Sequence, residues 1–143
     1  MAWFGKMVSA CNHLEQNYQL LLVLLLQCRE LEAAKIVGRE RRVFDGLAEL
    51  VEELFAVYFF DETSRVELRA VGKTAKKLYQ ERNKFVHSGW YIAPDKKTGL
   101  ATFRSKGDDT VKVEISELTK LHDRFNECAV KIWEFTNRHF PAV

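Results

Sequence analysis

The stretch Glu81-Arg82-Asn83-Lys84-Phe85-Val86-His87-Ser88-Gly89-Trp90 marks where this chain changes character. Upstream of it no proline interrupts the sequence, and apolar residues recur at helical spacing. Downstream, from Trp90 to Ile115, the pattern turns to short alternating runs and turn residues. The stretch therefore reads as the end of a long helix. Val66, Val71, Ala75 and Leu78 form the apolar stripe of that helix. Arg82, four residues past Leu78, continues the stripe instead of pointing to solvent. Gly89 is placed to end the helix in a left-handed conformation, which leaves His87 in the last turn.

The remaining elements follow outward from this point. Phe44, Leu47, Val51, Leu54 and Tyr58 give a preceding helix that fades near Phe60. Asp61-Glu62-Thr63-Ser64 then reads as a turn, with Thr63 or Ser64 as the cap of the motif-bearing helix. The first helix is predicted from about Ser9 to Ile36, on the stripe Leu14, Tyr18, Leu21, Leu22, Leu25 and Cys28, with Gly38 as its stop. A basic cluster, Arg39-Glu40-Arg41-Arg42, follows it.

Beyond the motif, Tyr91-Ile92 is a short extended piece, and Leu100–Phe103 and Val111–Ile115 read as the two strands of a hairpin occupying about 90–115. Ser116 is placed to cap a last long helix with the stripe Leu118, Leu121, Phe125, Cys128, Ile132 and Phe135. The expected fold class is all-α: a four-helix up-and-down bundle, one domain over 1–143, with a β-hairpin inserted before the last long helix.

Bulk properties narrow the function. Apolar residues make up 47% and charged residues 29%, the balance of a folded globular chain rather than a disordered one. A formal net charge of +2 excludes a uniformly basic, histone-like binder but leaves room for a local basic stripe. The longest apolar run, Leu20–Leu26, is far shorter than the ~20 residues of a membrane span, so no membrane partner is expected. Cys11, Cys28 and Cys128 are widely separated and odd in number, which suggests reduced thiols and a cytoplasmic location. Cys11-x-His13 is the one close Cys/His pair, and it matches no zinc-site spacing.

The motif carries groups suited to phosphoryl chemistry. Cutting RNA with its own 2′-hydroxyl as nucleophile needs a base, an acid and a cation to hold charge on the phosphorus oxygens. Histidine, with an ordinary pKa of about 6.5, suits the proton transfers. Arginine, planar and always charged, suits the phosphate. Asn83 offers an amide to orient the histidine or the ribose. Positions 82 and 87 lie about 140° apart round a regular helix, so one chain is expected to present a spread-out half-site. Two copies packed face to face would supply two histidines and two arginines, and a twofold dimer gives that arrangement automatically.

The pattern Arg82-Asn83-x-x-x-His87, at a helix end in a small helical chain, resembles the signature of HEPN domains, a family of helical ribonucleases and nucleotide-binding proteins. The long first helix and the closing helix are similar to that family's bundle. The resemblance implies a metal-independent endoribonuclease that uses no cofactor and has a composite site at a homodimer interface. Arg82 would be the transition-state anchor, His87 the general acid/base and Asn83 the orienter. Glu15, in the polar opening of the first helix, would be a supporting site residue. It also implies a role as the toxic or defensive half of a two-component system, with an antitoxin or regulatory protein as partner. One position departs from the family. Where some members carry a modifiable tyrosine two residues after the histidine, this chain has Gly89, with Tyr91 further on.

A basic run points toward RNA as well. Between Arg69 and Lys84 stand six cations and one anion, a local net charge of +5 that exceeds that of the whole chain. Arg69, Lys73, Lys76, Gln80 and Lys84 fall along one side of the helix, with Lys77 beside them, and could track a phosphate backbone toward the motif. Other readings stay open from the residues alone. Arg82 could pair with Glu52 or Glu53 and only organise the bundle. The chain could be a non-catalytic module that binds RNA, a nucleotide or a protein, or a structural dimer. His13, His122 and His139 show no sequence partners, and Trp3, Phe4, Trp90, Trp133 and Phe140 are expected to pack the bundle or a dimer.

Overall fold

The computed structural model describes residues 2–27, 44–97 and 99–141. Among these, four helices and three strands follow in the order α1 (Ala2–Leu26), α2 (Phe44–Tyr58), α3 (Glu62–Val86), β1 (Gly89–Asp95), β2 (Gly99–Lys106), β3 (Asp109–Lys112) and α4 (Ile115–His139). The fold is mostly helical, with a small antiparallel sheet before the last helix. Cys28, the predicted helix extension to Ile36, the stop at Gly38 and the Arg39–Arg42 cluster lie outside the described residues.

One core joins all four helices. Leu14, Tyr18 and Leu21 of α1 meet Val51 and Phe55 of α2, Leu68, Ala75 and Leu78 of α3, and Leu121, Phe125 and Ile132 of α4. α1 packs on α4 and α2, and α3 packs on α2 and α4. The predicted stripe of α4 is buried at every position. In α2 the inward residue is Phe55, whereas Tyr58 is 58% exposed. Phe55 wins because its ring packs against both Phe135 and His139, at 5.0 Å each. In α3, Val66 faces solvent and Leu68 takes the core position.

Helix ends differ from the expected ones for local reasons. α1 begins at Ala2, not near Ser9, because its first turns have aromatic partners: Phe4 lies 5.1 Å from Trp90, and Trp3 lies 5.6 Å from His122. The cap of α3 is Asp61, whose carboxylate accepts the Thr63 N–H at 3.1 Å and the Ser64 hydroxyl at 2.5 Å. α4 is capped by Glu114 in a reciprocal box with Glu117, not by Ser116. Gly89 takes no left-handed conformation; positive φ among the described glycines occurs at Gly99, which opens β2, and at Gly107, between β2 and β3. Instead α3 stops at His87 (φ −96°, ψ 11°), and Gly89 opens β1 opposite Ser105. A Cβ at Gly89 would stand 3.1 Å from the Ser105 hydroxyl, a tight contact that this side chain would have to yield to.

The expected hairpin is a three-stranded sheet in the order β1-β2-β3. Tyr91 pairs with Phe103 across β1 and β2, and their rings stack at 5.5 Å. The third strand arises because the piece after the motif is long enough to pair fully with β2. Val111–Ile115 does not continue as a strand: β3 ends at Lys112, and Val113 alone of the alternating trio is buried.

The Asp61 cap sets a pH dependence. The Ser64 hydroxyl holds the Asp61 carboxyl below the usual carboxylate range. A group lowered on folding contributes stability that is present above its unfolded pKa, about 3.9, and is lost as pH falls through the folded value. Asp61→Asn retains a good cap without a titrating group. Thermal melts at pH 7 and pH 3 are expected to show a smaller acid-induced fall in Tm for this variant than for the unaltered chain.

Candidate active site

The end of α3 is fixed from three directions. The His87 N–H bonds to the Asn83 carbonyl at 3.1 Å, continuing the helical ladder by one residue. The Ser88 hydroxyl donates to the Lys84 carbonyl. The Trp90 indole then folds back, donating to the Phe85 carbonyl at 2.8 Å and stacking on the Phe85 ring at 6.0 Å. Trp90 thus ties the first residues of β1 to the last turn of α3 and fixes the backbone that carries His87.

Arg82, Asn83 and His87 line one cleft of about 340 Å³, together with Glu15 of α1, Asp45 of α2, and Lys76 and Tyr79 of α3. Positions 82 and 87 stay on different faces of α3, as their spacing requires, yet both side chains line this cleft. Asn83 and His87 face the cleft directly, four residues apart. Arg82 reaches it from the side: its guanidinium lies 5.3 Å over the Tyr79 ring and donates to Asn83 Oδ1 at 2.6 Å. The length of the arginine side chain spans the angle that helix geometry leaves between Arg82 and His87.

Asn83 therefore orients Arg82 rather than His87. Its carbonyl is occupied, and its amide N–H groups have no described acceptor. The His87 ring is exposed and makes no side-chain hydrogen bond to a described residue.

Arg82 is half-buried and makes no ion pair with any described residue. Glu52, one partner suggested by the sequence, is held by Arg69 at 2.9 Å. Arg82 Nε is fully buried without a hydrogen-bond partner. An unmatched buried donor costs about 1–3 kcal/mol, more when charged. Beneath it, the Tyr79 hydroxyl donates to the Cys11 carbonyl at 3.3 Å. Burial pushes the Tyr79 phenol and the Cys11 thiol up, so both remain protonated. These two are wall, not proton-transfer groups.

The cationic stripe is only partly available. Arg69 and Lys76 are bound by Glu52 and Glu49 of α2, at 2.9 and 3.1 Å. Lys73, Lys77 and Lys84 are exposed and make no ion pair with described residues. Sequence reasoning misses these pairs because nothing in one helix's spacing shows which carboxylates a neighbour brings.

It also misses the partners of two histidines. His122 Nδ1 sits 3.0 Å from Asp123 Oδ1. His139 bridges the Phe135 carbonyl at 2.9 Å and the Ser64 hydroxyl at 3.1 Å, within a cage of Phe55, Phe59 and Phe135. Trp3, Phe4, Trp90 and Phe140 pack partly buried against the core, whereas Trp133 is 49% exposed. Cys11 and Cys128 are buried free thiols. No helix among the described residues is long and apolar enough to cross a membrane.

Fold and cleft together describe a helical protein with a small sheet and a guanidinium–imidazole cleft at one helix end. No family model, curated protein or solved structure matches the chain.

Proposed function

We propose that the chain is a HEPN-like endoribonuclease, an up-and-down helical bundle that cuts RNA without a metal or cofactor. The observation that carries this reading is the half-buried Arg82 guanidinium, which makes no ion pair with a described residue, in one cleft with the exposed His87 ring. An unpaired cation in a partly desolvated cleft is stabilised by an incoming anion. A phosphodiester supplies that anion and presents a reactive centre within reach of the imidazole.

In the proposed cycle the 2′-hydroxyl oxygen attacks phosphorus while a histidine takes its proton. The P–O5′ bond breaks, the leaving oxygen is protonated by an acid, and a 2′,3′-cyclic phosphate and a free 5′-hydroxyl remain. Arg82, steadied by Asn83, holds the charge that builds on the non-bridging oxygens. Each cleft contains one described histidine, and the reaction needs two proton transfers. A second copy of the chain would bring the second imidazole, the composite homodimer site that the resemblance implies. Glu15, across the cleft from α3, would support the histidine or the ribose.

The cysteine pattern suggests the cytoplasmic setting, and the HEPN resemblance alone adds the toxin or defence role and the antitoxin partner. The test is single-stranded RNA incubated with purified protein in excess chelator, with product ends identified by mass spectrometry. Cleavage ending in 2′,3′-cyclic phosphate is expected. Binding without product would leave the non-catalytic module as the reading.

A further inference from the structure

The face of α3 turned away from the motif carries a second concavity. Tyr79, Asn83 and His87 lie about 150° round the helix from Glu81, Lys84 and Phe85. The latter three border a groove of about 320 Å³, closed by Arg104 of β2 and by Glu117, Lys120 and Arg124 of α4. Four cations thus face two acids, and both acids are engaged. Glu81 pairs with Arg124 at 3.7 Å. Glu117 accepts the Glu114 N–H at 3.1 Å in the helix cap. Lys84, Arg104 and Lys120 make no ion pair with described residues. The Arg104 guanidinium lies 5.5 Å over the Phe85 ring, so its fork is held in place rather than swinging in solvent.

Three uncompensated cations from three separate elements repel one another across this groove. An anion lying in it relieves that repulsion. Lys84 stands round α3 between His87 and Glu81, and Lys77 and Lys73, both exposed, lie on the same side of the helix about two and three turns toward its N-terminus. The uncompensated cations thus continue as a line along α3 beyond the groove, which suits a continuous strand better than a single small anion.

We infer that the groove between α3, β2 and α4 is a second anchoring site, for the phosphodiester backbone of the strand whose reactive linkage occupies the Arg82–His87 cleft. The identity of the strand as RNA rests on the ribonuclease reading. The site supplies affinity, not chemistry: Lys84, Arg104 and Lys120 take successive phosphates, and Lys77 and Lys73 extend the line along α3.

The test uses the full chain and a labelled single-stranded 2′-O-methyl oligonucleotide, read by fluorescence anisotropy. This probe has no free 2′-hydroxyl, so binding is measured without cleavage. Lys120→Glu is expected to weaken binding about ten-fold at low salt and to flatten the salt dependence by about 0.7 log units per lost phosphate contact. Glu117→Gln preserves the cap acceptor, removes an acid from the rim, and is expected to tighten binding. Inorganic phosphate at the same phosphate concentration is expected to leave the strand bound. Unchanged affinity in both variants, no binding by the unaltered chain, or displacement by equal inorganic phosphate would each overturn the inference. Failure of the ribonuclease reading shows elsewhere, as unaltered protein that binds the strand yet yields no product from unmodified RNA.

Discussion

His87→Ala is expected to slow RNA cleavage by at least about 10²-fold while the fold is unchanged. The first part follows from the chemistry: no other described imidazole lines the cleft, and the neighbouring Tyr79 phenol and Cys11 thiol are held protonated by burial. The second part follows from the setting. The His87 ring is exposed and bonds to no described side chain, and the helix end is held by backbone bonds and by Trp90. Stability should change by no more than about 0.5 kcal/mol, as for surface substitutions generally. Single-turnover cleavage and thermal melts on the same preparation separate the two effects. A variant that cuts at the unaltered rate removes His87 from the mechanism. One that melts far lower makes it a structural residue.

Arg82→Met should produce a different pair of results. Cleavage is expected to fall by about 10²–10³-fold, the usual loss when a group stabilising transition-state charge is removed. Stability is expected to hold or rise. Arg82 Nε is a buried donor with no partner, and the side chain makes no ion pair with a described residue. Methionine retains packing over Tyr79 and removes the unmet donor. An arginine that merely organised the bundle would behave the opposite way: its loss would lower the melting temperature. Chemical denaturation beside the rate measurement decides between them. A stability gain joined to a loss of activity is the signature of a residue retained for function.

Much of the helical layout is legible in the sequence. The α4 stripe from Leu118 to Phe135 and the α1 stripe from Leu14 to Leu25 are inward-facing as their spacing requires, because a helix's burial period is written in its own residues. The motif's place at the end of α3 is equally visible. The expectations that fail are those that depend on neighbours. Gly89 reads as a helix terminator on its own, yet it opens β1 as the strand partner of Ser105, sixteen residues on. Val66 is placed on the α3 stripe by the sequence, yet the packing of α3 exposes it and buries Leu68. Arg69 and Lys76 look like free cations until α2 supplies Glu52 and Glu49.

The candidate site shows the same division. Arg82, Asn83 and His87 can be named from one short stretch. The wrap of Arg82 over Tyr79, the approach of Glu15 from α1, and the groove of Lys84, Arg104 and Lys120 exist only in the folded chain. Arg104 and Lys120 lie in a strand and a helix that the sequence never links to α3.

The central claim is that one phosphate engages the Arg82 fork and the His87 ring together. The most direct measurement is proton NMR of the His87 ring as an uncleavable 2′-deoxy dinucleotide is added. The account predicts that the His87 resonances shift with saturation in the unaltered chain and that the shift is lost in Arg82→Met. Resonances that stay in place at saturating ligand, or that shift equally without the guanidinium, would contradict it.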